Sequence, residues 1–173
     1  MSVSRAGRLR VAVIGGALAA ALCVPAVVNA DTTGGPSIPP AGSNGATISI
    51  DSVAVSGKVV ATVNVTFVCQ PFEVFDWETG QTVKSTSGSI EDGGVTIYQA
   101  QGKVLDWGTN GVFGGLAVCD GSTANHLSIP VTPSVSPWKK GTAAVGAWVR
   151  LSDTVAFQDS DYGSTGPVTL RLG

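Results

Sequence analysis

A single histidine, a serine three residues ahead of a lysine, and a cluster of aspartates are the positions at which this 173-residue chain offers chemistry. His126 is the sole histidine and lies in the polar stretch TANHLSI. Acyl transfer of the Ser-His-Asp kind needs three groups converging in space. No G-x-S-x-G elbow singles out a serine to converge on it, so a solvated surface imidazole is the expectation. Ser136-Pro137-Trp138-Lys139 fits S-x-x-K. That chemistry needs the serine and lysine on one helical turn with companion motifs, and here the pattern sits between prolines and a strand, so it reads as coincidence. Asp159-Ser160-Asp161, with Asp153 nearby, places carboxylates in a Gly- and Ser-rich loop of the kind calcium favours. Gly163 occupies the next acidic position and the bidentate glutamate is missing, so the expectation is a solvated acidic loop. We assign no catalytic residue, no metal ligand and no cofactor.

Aromatic side chains give the stronger hint. Trp77 and Trp107 each follow an aspartate, in DWETG and DWGTNG, and Trp138 precedes Lys139 and Lys140 in a connecting segment. A tryptophan exposed on a sheet protein stacks on sugar rings or anchors a protein partner. Trp77, Trp107 and Trp138 are therefore the candidate ligand-binding residues, against the alternative that each lids the edge of a core. Trp148 is set aside as a lid between sheets. Asn64-Val65-Thr66 matches a glycosylation acceptor but falls inside a strand.

What positions these residues is a chain with an export signal at its start. Arg5, Arg8 and Arg10 precede an apolar run over residues 11–24, and Val28-Asn29-Ala30 supplies small residues at a cleavage site. Cleavage between Ala30 and Asp31 is expected, giving a secreted or envelope protein. Two rivals remain open: Cys23 as a lipid-attachment site, and an uncleaved anchor. The product of cleavage has seven Lys and Arg against twelve Asp and Glu, a net charge of 7 − 12 = −5. An acidic product disfavours a nucleic-acid partner, and no later apolar run is long enough to span a membrane. Cys69 and Cys119 are then the two remaining cysteines, expected to pair in an oxidising compartment, with two buried thiols as the alternative.

Residues 31–46, DTTGGPSIPPAGSNGA, contain one aliphatic side chain, Ile38, and read as a flexible tether. The folded domain is expected over 47–173. Its clearest element is KVVATVNVTFVC, residues 58–69, in which Val59, Ala61, Val63, Val65, Phe67 and Cys69 alternate with mostly polar neighbours. A period of two in β-branched residues predicts a strand with one buried face. TISIDSVAV before it should form a hairpin through Ser56-Gly57. Residues 70–94 read mainly as a long surface loop with a short edge strand. Further strands are predicted near 95–105, 116–119 and 127–131, the last confined by Pro130 to an edge. TAAVGAWVRL and the closing Val168, Leu170 and Leu172 complete seven or eight strands without a helix outside the leader. This composition describes an antiparallel sandwich of two sheets stapled by one bridge.

The V-x-V-x-F-x-C strand ending at Cys69, the V-C-D-G of residues 118–121 and the K-G-T-A-A-V of residues 140–145 resemble a family of small exported actinobacterial proteins. The resemblance covers about residues 47–151. It implies an immunoglobulin-like β-sandwich, export and a Cys69–Cys119 inter-sheet disulfide, and it implies no activity. The segment after Cys69 is longer than the family leads one to expect. Antibody-type domains match less well, because Trp77 follows Cys69 too closely and Ala117 stands where the tyrosine two residues before the second cysteine belongs. The reading is a non-enzymatic binding module outside the cell, its partner an envelope polysaccharide or an exported protein. A carrier of a small apolar ligand is the alternative, and a hydrolase the remaining one.

Overall fold

The computed structural model describes residue 36 and residues 38–155 and 159–173. The leader, the Ala30–Asp31 cleavage position and Cys23 lie outside the described residues. Twelve strands follow in order: β1 (Gly42–Asn44), β2 (Ala46–Ser56), β3 (Val60–Cys69), β4 (Phe72–Asp76), β5 (Gln81–Ser85), β6 (Ser87–Gln101), β7 (Val104–Gly111), β8 (Leu116–Val118), β9 (Asn125–Val131), β10 (Gly141–Asp153), β11 (Ser160–Ser164) and β12 (Val168–Leu172). No helix occurs among the described residues, and none is long and apolar enough to cross a membrane.

A seven-stranded antiparallel sheet runs β1-β11-β10-β6-β7, with β12 also on β10 and β8 also on β6. A three-stranded sheet, β2-β3-β9, lies across from it, and β4 and β5 form a separate hairpin. In β3 the buried residues are Ala61, Val63, Val65, Phe67 and Cys69, as the period of two requires. Val59 is exposed in the turn before it. Ala143, Val145, Ala147, Val149 and Leu151 form the matching buried row of β10. Between the sheets these rows make two core clusters. One gathers Val63, Ile97, Val145, Ile129 and Trp138 at one end. The other gathers Phe67, Phe72, Ile90, Leu151 and both bridged cysteines at the opposite end.

The disulfide is present: Cys69 closes β3 and Cys119 directly follows β8, so the bridge ties the small sheet to the large one. Gly88 makes room for it. A Cβ there would lie 2.7 Å from the Cys119 sulfur and 3.1 Å from the Phe72 ring.

Two expectations need correction. The tether ends earlier than residue 46, because β1 pairs with β11 and Ala46 is fully buried at the head of β2. Ile38 also finds cover, since Gly146 lacks the side chain that would collide with it. The Tyr98 hydroxyl donates to the Pro36 carbonyl. Residues 70–94, expected as mostly loop, hold the β4–β5 hairpin and the first half of β6. Their glycines misled the reading: Gly88 and Gly94 are strand positions at which a neighbouring side chain occupies the place of a Cβ.

Candidate functional site

The three candidate tryptophans occupy three different environments. Trp77 stands at the tip of the β4–β5 hairpin and is 81% exposed. Its ring meets Phe75 edge-on, with centroids 4.7 Å apart and planes at 80°. Asp76 fixes the turn that carries it. The Asp76 carboxylate accepts the Glu78 N–H at 2.9 Å and the Thr79 hydroxyl at 2.7 Å, and the Gly80 N–H donates to the Asp76 carbonyl. The Thr79 hydroxyl and then the Glu78 amide hold this carboxyl below its usual range. Trp77 therefore projects into solvent, backed by the half-buried Phe75, from a turn whose backbone is already bonded.

Trp107 is half-buried on β7, opposite Tyr98 of β6. Trp138 corrects the sequence reading. It is 1% exposed, its Nε1–H donates to the Val131 carbonyl at 3.3 Å, and it belongs to the core. A side chain of that size has its apolar surface already buried, so it offers no stacking face. Nor do Trp77 and Trp107 share a surface. The hairpin of Trp77 departs beside Gly88, where Phe72 packs, whereas Trp107 lies opposite Tyr98. About 30 Å of extended strand separates those two positions on β6.

His126 belongs to an arrangement invisible in the sequence. On the outer face of the small sheet, the Thr66 hydroxyl donates to the Asp51 carboxylate at 2.5 Å, and His126 Nδ1 lies 2.8 Å from the Thr66 hydroxyl oxygen. A hydroxyl has one proton. With that proton directed at Asp51, the Thr66 oxygen accepts from Nδ1–H, and Nε2 is the ring nitrogen left outward. The order is thus carboxylate, hydroxyl, imidazole. In an acyl-transfer triad the imidazole stands in the middle and takes the hydroxyl proton; here the proton is directed away from it. A second rung runs parallel, with Asn64 Nδ2 donating to Ser52 and Ser128 donating to Asn64 Oδ1. Asn64, the glycosylation match, has its amide engaged on both sides.

The other patterns resolve into loop anchors. In Ser136-Pro137-Trp138-Lys139, Ser136 lies in a bend rather than a helix, and its N–H donates to Asp106 at 2.6 Å. Asp161 accepts the Gln70 N–H and Asp159 accepts the Glu73 N–H, so these carboxylates face separate backbone donors. No group of three His, Cys, Asp or Glu among the described residues is placed to hold a metal.

One concavity of ligand size opens at the end of the sandwich opposite the disulfide. It is a groove of about 700 Å³ lined by Val55, Gly57, Lys58, Pro137, Trp138, Lys139, Lys140 and Gly173. Periodicity did not point to it, because its walls come from a turn and a connecting segment far apart in the chain. The adjacent lysines beside Trp138 were the available signal.

No protein-family model matches the chain, and no curated protein or solved structure matches it either.

Proposed function

We propose that the chain is an exported, immunoglobulin-like binding module that recognises a sugar ring of an envelope polysaccharide through Trp77. The exposure of Trp77 on a turn fixed by Asp76, with Phe75 set against its ring, is the observation that carries this reading. A large aromatic face held in place loses little conformational freedom on binding, which favours stacking over a flexible contact. The disulfide fits an oxidising compartment and so supports export. The facing sheets and the bridge between them support the immunoglobulin-like assignment. A role in binding rather than catalysis is supported by the direction of the Thr66 proton, away from the sole imidazole.

Titration of the secreted protein with fractionated envelope polysaccharide, followed by tryptophan fluorescence, tests the proposal. Trp77→Ala should weaken binding about tenfold or more, the loss of one well-placed aromatic anchor, while Trp107→Ala should leave it unchanged. Equal binding by Trp77→Ala and the parent protein would remove the hairpin from the site.

A further inference from the structure

The groove opposite the disulfide has a composition that a structural gap does not need. Lys58, Lys139 and Lys140 are three of the seven Lys and Arg residues that follow Ala30, in a stretch whose net charge is −5. All three line one groove, and none has an ion-pair partner among the described residues. No Asp or Glu side chain lines the groove; gathering like charges in this way is unfavourable, and an acidic chain offers many sites for neutralising them. Beneath the lysines the lining is mostly carbon: Val55, Pro137 and the lysine stems themselves, with Trp138 buried behind them.

The backbone that carries these lysines is held by buried polar groups. Lys58 is the one non-glycine residue with positive φ among those described, at 63° in the β2–β3 turn. A side chain in the left-handed region costs about 1–2 kcal/mol, and the Lys58 carbonyl accepts the Trp138 N–H at 2.8 Å. On the opposite wall, Gln99 is 2% exposed and clasps Lys139 by both backbone groups. Its Oε1 accepts the Lys139 N–H at 3.0 Å, and its Nε2 donates to the Lys139 carbonyl at 2.6 Å. The fully buried Asp106 carboxylate accepts the N–H groups of Val135 and Ser136 just upstream. A segment with little regular structure is thus fixed upstream of its lysine pair and at Lys139 itself, which is the preorganisation a ligand site requires.

We infer that this groove binds a single-chain anionic amphiphile of the fatty-acid class, its alkyl chain along Val55, Pro137 and the lysine stems and its carboxylate among Lys58, Lys139 and Lys140. The volume falls within the range of small-molecule sites. Burial of methylene groups supplies affinity, at about 0.8 kcal/mol each. Lysines act as point charges and suit a carboxylate; the bidentate guanidinium forks that favour phosphate are absent from the lining. The site is separate from the Trp77 hairpin and does not rest on the sugar-binding proposal.

The test uses the full secreted protein, delipidated, in calorimetric titration with palmitate, hexadecanol and acetate. Palmitate should bind with one-to-one stoichiometry, and hexadecanol and acetate each at least about tenfold more weakly. Replacing the three lysines by alanine should cost palmitate binding about tenfold or more. Unchanged thermal unfolding of that variant would establish that the fold is intact, and a Lys139→Glu, Lys140→Glu variant should lose binding further by repulsion. Trp77→Ala should bind palmitate as the parent does. Equal affinity for hexadecanol would overturn the anionic part of the inference, equal affinity for acetate the apolar part. Undiminished palmitate binding by both lysine variants would overturn the site.

Discussion

The two ends of the sandwich are closed by different means. At one end the chain crosses between sheets covalently, and Phe72, Ile90 and Leu151 pack around the Cys69–Cys119 bridge. At the other the closing element is Trp138, seated in the core and hydrogen-bonded to Val131 and Lys58. Buried Gln99 and Asp106 organise the segment around it. The sulfur clip joins two points and leaves its neighbours free to fill the space between them with hydrocarbon. The tryptophan plug must be oriented by polar contacts at its edges, and it is at those edges that a groove remains. A sandwich closed by packing can therefore keep a ligand-sized opening at its end, and the covalent end supplies the stability that makes the opening tolerable.

The largest effect should come from cutting the clip. Replacing Cys69 and Cys119 by alanine releases a loop spanning a sequence separation of 50, and the chain-entropy model gives a loss of about 4 kcal/mol. Urea denaturation of the parent and the double variant measures it. A loss near zero would mean that packing alone closes that end as well, and the contrast between the ends would disappear.

At the other end, Asp106→Ala should cost about 1–2 kcal/mol by leaving partly buried N–H groups without their acceptor. The carboxylate accepts three of them, from Trp107, Val135 and Ser136. The damage should be local. Hydrogen exchange should quicken through residues 134–140 while the amides of β3 near Cys69 stay protected. Uniform loss of protection over both ends would show that the plug and the clip belong to one cooperative unit.

How much of this was legible in the sequence follows from what each contact depends on. The strands β3 and β10 could be read because each buries one complete face, and a period of two survives in any single sequence. The bridge could be read because few cysteines were available to pair. Residues 70–94 were misread because Gly88 and Gly94 resemble loop residues, yet each is glycine so that a partner can approach: Cys119 and Phe72 in one case, Trp148 in the other. Trp138 was misjudged because Pro137 and Lys139 on either side are exposed, and burial of one residue in an irregular segment has no period to reveal it. The alignment of Asp51, Thr66 and His126 needs the registers of β2 on β3 and of β3 on β9 together. Each register is set by packing of the opposite face, about which the polar residues themselves say nothing.

The smallest effect concerns a carboxylate at the clipped end. Asp161 on β11 accepts the Gln70 N–H next to Cys69, and a Cβ on Gly45 would overlap its carboxylate. Burial raises its pKa, the Gln70 bond opposes the shift, and the charge of Asp159 adds to it. A carboxyl whose folded pKa lies above the unfolded value binds protons more tightly when folded, so ionising it lowers stability as pH rises through that folded value. Asp76 and Asp120 have the opposite sign. Their turn hydrogen bonds, led by the hydroxyls of Thr79 and Thr123, depress both carboxyls. Their contribution is present above about pH 4 and fades as pH falls through the folded values. Asp161→Asn keeps an acceptor for the Gln70 N–H and removes the charge, so its melting temperature should exceed the parent's at pH 7 by about 1–3 °C. The gap should close as the pH drops through the carboxylate range. A variant less stable than the parent at pH 7 would mean that the ionised Asp161–Gln70 bond outweighs burial, and the clipped end would then depend on a buried charge just as the plugged end depends on Asp106.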